Sequence, residues 1–328
     1  MNIYPNAFTK IFKKYPLTLV DVGASGGIPS QWKRHRRYLH TIGFEPDQRA
    51  FSNLSSQDIP RTQIFNVALH NINGTVPFYL TRKQENSSCF QPNRDFLDRF
   101  HKPNRFDVIG ETKLKCKPLD EFRHEPGVRD SDFIKCDTQG SELYILQGAS
   151  YLLTETIFGL ELEVAFTQIY EYAPLFADVD IFIRKFGFSL IDLRTVSWKR
   201  AVGAMIGKSK GQLVYADALY FREPAQFEAQ LGKLESEAAR SKLLRALAIC
   251  QIYGFFDYAL ELLDLMGETH FSGDEIRQLQ LHIQSQAHHT HRIPNFPGQN
   301  RLYQLLVSLT NRIQPLSHRR KERNLGNL

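Results

Sequence analysis

Apolar and polar positions fall into blocks along the first two thirds of the chain. Short apolar runs occupy residues 17–23, 41–45, 63–69, 132–137, 157–164, 188–193 and 218–221, each of strand length and rich in Val, Ile, Leu and Phe. Between several of them, apolar residues recur every three or four positions, and this spacing predicts helices over 30–39, 48–55, 142–153 and 177–186. Apolar strands taking turns with helices predict an α/β fold, a parallel sheet covered on both faces. The alternation lapses twice. Residues 73–119 are polar, with a predicted extra hairpin of 76–81 against 113–117, and a long excursion of this kind more often walls a ligand site than pads a fold. Residues 194–217 hold Trp198, Lys199, Arg200, Lys208 and Lys210 among three glycines without periodicity, which fits a functional lid and a mobile surface loop equally.

After Pro224 the pattern becomes helical throughout from 227 to 266, with Leu243, Leu247, Ala248, Ile252, Ala259, Leu262 and Leu263 marking an apolar face. Residues 248–263, with Tyr253-Gly254 between two helical stretches, have the form of a single tetratricopeptide-like hairpin. One such unit cannot cover its own face, so it is expected to pack on the α/β unit or on a second subunit, as in a homo-oligomer. The pattern divides the chain into residues 1–224 and a helical extension, 225–328, that ends in a basic tail.

Composition narrows the classes. With 328 residues and 42% hydrophobic content the chain can bury a sizeable core and a smaller second unit. The amino terminus has no continuous apolar stretch, and the longest apolar runs are of strand length, so neither a signal peptide nor a membrane span is expected. Cys89, Cys116, Cys136 and Cys250 show no metal or disulfide spacing, and reduced thiols fit a cytoplasmic protein. The net charge of +6 and pI near 9.0 suggest nucleic acid or an anionic surface. Most basic residues are dispersed, however. The clusters at 33–37 and 319–321 read as a solvated helix face and a tail, and no aromatic residues are interleaved with them as a nucleic-acid platform would need. His288, His289 and His291 sit in a polar stretch without nearby carboxylates and read as a solvated loop, so no metal is expected.

The chemistry concentrates in two places. Residues 17–27, Leu-Thr-Leu-Val-Asp-Val-Gly-Ala-Ser-Gly-Gly, end an apolar strand in a glycine-rich turn, and about twenty residues on, Ile42-Gly43-Phe44-Glu45-Pro46 ends the next strand in a carboxylate. A sheet presents a nucleotide-like ligand in this way, with Gly23, Gly26 and Gly27 admitting close approach and Glu45 able to accept both hydroxyls of a ribose. The G-x-G-x-x-G spacing of a dinucleotide site is missing. That disfavours NAD and favours S-adenosylmethionine (SAM), a nucleoside without phosphates.

The second place is residues 132–143, Asp-Phe-Ile-Lys-Cys-Asp-Thr-Gln-Gly-Ser-Glu-Leu. Together with Val20-Asp21-Val22-Gly23-Ala24, Phe44-Glu45-Pro46, Asn66-Val67-Ala68-Leu69, Leu119-Asp120-Glu121-Phe122, Leu160-Glu161-Leu162-Glu163 and Asp217-Ala218-Leu219-Tyr220-Phe221, it makes the chain resemble the FkbM family of SAM-dependent methyltransferases from about 17 to 222. The resemblance implies a class I methyltransferase, Rossmann-like, seven-stranded sheet with a final antiparallel strand, and a C-terminal α-helical extension outside the family core. It further implies Asp21 and Gly23 beside the methionine part of SAM, Glu45 on the ribose, Val67 and Ala68 by the adenine, and Ala24 and Gly26 of the glycine turn among the cofactor-binding residues. Ser25-Gly26-Gly27 departs from the family's commoner turn without changing the cofactor.

Methyl transfer from a sulfonium needs alignment and removal of a proton from a weakly acidic hydroxyl. Asp137, at a strand tip, is the first candidate for that base, and Glu161 is a weaker one; Glu161 and Glu163 alternate, so one points to each face of the sheet. Glu142 reads better as an acid stabilising the first turn of a helix, and His70 as a surface histidine. The function expected is O-methylation of a small-molecule, sugar, glycan or natural-product-like hydroxyl. A non-catalytic SAM-binding scaffold acting through the helical extension is the alternative. Nucleic-acid methylation is disfavoured, because Asp137-Thr138-Gln139-Gly140 stands where base methyltransferases carry a Pro-Pro-aromatic motif.

Overall fold

The computed structural model describes residues 6–24, 27–57, 60–125, 127–203, 210–288, 296–313 and 319–321. Its centre is β1 (Leu17–Val22), all six residues of which are buried, as an apolar run between two covered faces must be. Parallel partners flank it: β2 (Leu39–Phe44) on one side and β7 (Phe133–Cys136) on the other. Beyond β2 lies β3 (Thr62–Phe65), and beyond β7 come β8 (Gly159–Ala165), β10 (Gln212–Arg222) and β9 (Phe188–Trp198). Of these seven, β10 alone runs against the rest, pairing antiparallel with β8 and β9. A three-residue strand, β11 (Arg319–Lys321), adds to the free edge of β9. The order 3-2-1-7-8-10-9 reverses direction between β1 and β7, and open α/β sheets bind ligands beyond the carboxyl ends of their strands at such a reversal.

Several elements differ from the sequence reading. The third apolar run breaks into β3 and β4 (Ala68–Leu69), because the chain turns at Asn66-Val67 from the large sheet into a small one, where β6 (Val108–Lys117) lies between β4 and β5 (Gly74–Thr81). The β5–β6 pair is the expected hairpin, longer than predicted and paired Val76 to Leu114 and Thr81 to Val108. Residues 194–217 also form more structure than expected, since β9 continues to Trp198 and β10 starts at Gln212. The helix predicted over 30–39 is a 3-10 helix, Lys33–Tyr38. Residues three apart eclipse in a 3-10 helix, which turns His35 and Tyr38 inward together and leaves Lys33, Arg34, Arg36 and Arg37 exposed.

The helix predicted over 142–153 is two helices, Glu142–Gln147 and Ser150–Glu155. Gly148 lies where a Cβ would meet the His70 carbonyl at 2.4 Å, and Asp120 starts the second helix by accepting the Tyr151 and Leu152 amides at 2.8 and 3.2 Å. The helical region after Pro224 is likewise divided into Pro224–Leu231, Ser236–Ile252, Phe256–His270, Gly273–His288 and Gln299–Ile313. No helix among the described residues is long and apolar enough to cross a membrane.

The two faces of the sheet are covered from different parts of the chain. Val20, Ile42, Ile134 and Leu160 face Ile145, Leu146, Leu152 and Ile183 from the intervening helices. On the other face, Leu17, Leu19, Phe133 and Phe221 share one cluster with Phe8 and Phe12 and with Leu243, Leu247, Ile252, Leu262 and Leu263 of the extension. The helices after Pro224 thus supply a layer of the α/β sandwich. Buried charge fastens that layer. Lys242 donates to Asp132 at 2.8 Å and to the Ser131 carbonyl at 2.8 Å, while the other Asp132 oxygen accepts the Thr18 amide at 2.9 Å. Arg245 pairs with Asp130 at 2.6 Å.

Lys242 and Asp132 are 2% and 1% exposed, so removing Lys242 takes a charge-assisted hydrogen bond from a buried carboxylate and leaves it Arg245, at 3.4 Å, as its remaining cation. Lys242→Ala is therefore expected to lower unfolding free energy by about 1.5–3 kcal/mol, read from urea denaturation. A loss below about 1 kcal/mol, typical of a surface pair, contradicts the fastening role.

Candidate functional site

The carboxyl ends of β1 and β7 meet at one point. The Asp137 amide donates to the Val22 carbonyl at 3.1 Å and the Gly23 amide to the Phe44 carbonyl at 3.1 Å, which draws three strand tips together. Gly23 takes a φ of +81°, and a Cβ there would lie 2.2 Å from the Asp137 carbonyl oxygen. Only glycine meets both demands.

A cavity of about 620 Å³ opens above this point, within the size range of small-molecule and cofactor sites. Gly23, Glu45, Asp47, Val67, Ala68 and Asp137 line it, with Phe78, Gln84, Glu85, Ser87, Cys89 and Leu114 from the 73–119 excursion forming a wall. Glu45 is held at its rim: one carboxylate oxygen accepts the Asp47 amide at 2.9 Å, and Asn66 donates to the Glu45 and Pro46 carbonyls at 2.9 and 3.2 Å. Apolar Val67, Ala68 and Ile145 beside a carboxylate suit a nucleoside, with a planar base on the apolar part and ribose hydroxyls on Glu45.

Not every residue named from sequence reaches the cavity. Asp21 lies beneath it, 2% exposed, with Lys135 donating to its carboxylate at 3.3 Å. Burial pushes the Asp21 carboxyl up, with Lys135 acting against this. Burial would also lower Lys135, but Asp21, Asp137 and Glu161 around it raise it instead. Ala24 is buried against Gly43. Gly26 and most of the histidine cluster lie outside the described residues. Glu161 does not line this cavity. It is buried, accepts Tyr253 Oη at 2.7 Å and Gln31 Nε2 at 2.9 Å, and has Arg194 at 3.8 Å. His70 stacks on Tyr144 with centroids 4.9 Å apart. Among the described residues no three His, Cys, Asp or Glu side chains gather as a metal site would require.

A second cavity, of about 270 Å³, adjoins the first, and Gly23, Glu85, Asp137 and Gln139 line both. Its other walls are Lys83, Asn86, Arg105 and Phe106 from the excursion, Glu163 in β8, Ile169 after it, and Trp198 and Tyr215 from the β9–β10 hairpin.

Gln139 organises the junction. Its side-chain nitrogen donates to Asp137 Oδ1 at 3.1 Å and to Glu163 Oε1 at 2.7 Å, one hydrogen for each. Its side-chain oxygen accepts Tyr170 Oη at 2.9 Å, and its carbonyl accepts Ser88 Oγ at 2.6 Å. Gln139 adopts a φ of +60°, left-handed for a non-glycine residue. Such strain persists where its surroundings over-determine it, and it concentrates at functional sites. Glu142 supplies part of the restraint by accepting the Thr138 amide at 2.7 Å, Thr138 Oγ1 at 3.0 Å and the Gly140 amide at 3.0 Å. It closes the loop after β7, a larger role than first-turn stabilisation of its helix. Sequence reasoning missed Gln139 and Glu163. A signal for Glu163 was present: Cys136 pairs with Leu162, so Asp137 and Glu163 are level at the strand tips.

The profile of the methyltransferase FkbM domain matches residues 21–190. The chain belongs to the FkbM methyltransferase family. The family is SAM-dependent, and among the seven strands 3-2-1-7-8-10-9 of this chain's large sheet β10 is the antiparallel one. Solved structures similar to this FkbM chain include the FkbM methyltransferase from Methylobacillus flagellatus, at 16% identity and TM-score 0.38, over 63% of this chain and 43% of that one. The chain thus spans less than half the length of that relative. Others are magnesium protoporphyrin IX methyltransferase from Synechocystis with bound SAM (10% identity, TM-score 0.34, 66% of this chain and 77% of that one) and precorrin-6y C5,15-methyltransferase from Geobacter metallireducens (9%, 0.32, 66% and 87%). No curated protein matches the chain.

Burial pushes the Glu142 carboxyl up from 4.5 to about 7. The folded protein therefore keeps a proton that the unfolded chain releases, and the stability tied to this group falls as pH rises from 4.5 to about 7 and is level above that. In urea unfolding across pH, Glu142→Gln is expected to remove this fall. A variant curve parallel to the wild-type curve through that window contradicts the assignment.

Proposed function

We propose that the protein transfers the methyl group of SAM to a hydroxyl of a sugar, glycan or natural-product-like acceptor. In this reading the larger cavity holds the cofactor and the smaller one the acceptor. The observation that carries it is the shared lining: the Asp137 carboxylate stands at the junction of the two cavities, with Glu163 joined to it through one amide nitrogen.

Bound SAM supplies a methyl group on a cationic sulfur. Glu45 accepts the ribose hydroxyls, Val67 and Ala68 pack on the adenine, and Gly23 lets the backbone approach the cofactor. Asp21 and Ala24 support the turn from below. Three carboxylates, Glu85, Asp137 and Glu163, and the amides of Asn86 and Gln139 give the smaller cavity acceptors and donors for a hydroxylated ring, with Trp198, Phe106 and Tyr215 as apolar wall. Asp137 or Glu163 takes the hydroxyl proton as the oxygen–carbon bond forms and the carbon–sulfur bond breaks. Gln139 fixes one oxygen of each. Glu161, held by Tyr253 and Gln31, positions the segment after the glycine turn.

With methyl-labelled SAM, the full chain and a panel of nucleotide sugars and glycolipids, Asp137→Asn and Glu163→Gln are each expected to lower kcat by about 10²–10⁴-fold. Binding of S-adenosylhomocysteine to Glu163→Gln stays at the wild-type level in calorimetry. Full activity of the Asp137→Asn, Glu163→Gln double variant, or methyl transfer confined to nitrogen or carbon acceptors, overturns the reading.

A further inference from the structure

The helix Gln299–Ile313 exposes what the rest of the fold buries. Leu302, Leu305, Leu306 and Leu309 are 45%, 57%, 51% and 47% exposed, and Tyr303 beside them is 62% exposed. Their spacing of three, four and seven residues places the four leucines on one helix face. None of them joins a hydrophobic cluster of the fold. A 15-residue helix standing alone in water is marginal, and its stability comes from whatever its apolar face packs against.

Charge says what that surface is. Residues 289–328 contain seven Arg and Lys against a single carboxylate, Glu322, a net +6 that equals the net charge of the whole chain. Residues 1–288 hold 34 basic and 34 acidic residues and are neutral. The excess that sets the protein's basic character thus lies wholly in the segment that carries the exposed leucine face. No Asp or Glu occurs from 276 to 321. A second copy is a poor occupant, because pairing the face with itself brings two such segments together. Nucleic acid would leave the leucines unused.

We propose that this helix is an interfacial anchor that lays its leucine face into an anionic lipid surface, with the surrounding arginines and lysines on the headgroups. The anchor is tied to the catalytic unit: β11 pairs with β9, Arg319 opposite Trp198, and Trp198 lines the smaller cavity. The inference stands on exposure and charge, apart from the methyl-transfer reading.

The test is flotation of the full chain with vesicles of phosphatidylcholine alone and of phosphatidylcholine with phosphatidylglycerol. The protein is expected to float with the anionic vesicles and not with the neutral ones, and to be released as ionic strength rises from about 0.15 M to about 1 M. Leu305→Asp with Leu306→Asp is expected to lower the bound fraction about tenfold or more, with melting temperature and S-adenosylhomocysteine binding unchanged, since both positions are exposed. Failure to float with anionic vesicles, equal flotation of the variant, or a wild-type dimer in light scattering that the variant splits overturns the proposal.

Discussion

The contact that the rest of the site depends on is the approach of Gly23 to the Asp137 carbonyl. Adjacent parallel strands β1 and β7 end at the same level, the Asp137 amide binds the Val22 carbonyl, and the chain must leave β1 in a left-handed turn directly over the end of β7. No side chain fits there. With the two strand tips locked, Asp137 has one place to go, between the two cavities. The loop after it needs its own restraint, which comes from Glu142 below and Ser88 and Tyr170 above. Gln139 in its strained conformation is the product of these restraints, and Glu163 is aligned through it.

The opposite ends of the same strands are held by charge. Asp132, just before β7, joins the start of β1 to Lys242 on the helical extension, and the extension in turn covers one face of the sheet. Tyr253 carries the connection up to Glu161 and, through Trp32 at 3.2 Å, to the segment after the glycine turn. The helices after Pro224 therefore reach the underside of the site, while the linings of both cavities come from residues up to Tyr215. Buried ion pairs add little net stability over apolar packing, but they tolerate few alternative arrangements. Here they fix where the helical layer sits on the sheet.

Much of this was legible along the chain. β1, β2, β7 and β8 are read from apolar runs because each is buried on both faces, and Glu45 and Asp137 are found at their tips because a carboxylate ending such a run has nowhere to hide. What pattern alone misses depends on register and long-range contact. Glu161 and Glu163 are equivalent in an alternating strand until β8 is aligned with β7, and the split at Gly148 depends on the His70 backbone. The 3-10 form of Lys33–Tyr38 depends on which side chains the fold buries, His35 and Tyr38, three residues apart. The layer formed by the extension is hidden for the same reason, since its apolar face shows that something is covered without saying what.

The claim at the centre is that a nucleoside cofactor sits where β1, β2 and β7 end. Hydrogen exchange of the full chain with and without S-adenosylhomocysteine tests it most directly, because protection on binding reports which backbone the ligand closes over. Added protection is expected at residues 22–24, 45–50, 67–69 and 137–141, with helices Ser236–Ile252 and Phe256–His270 unchanged. Binding that leaves those four segments unprotected, or protection confined to the helical extension, contradicts it.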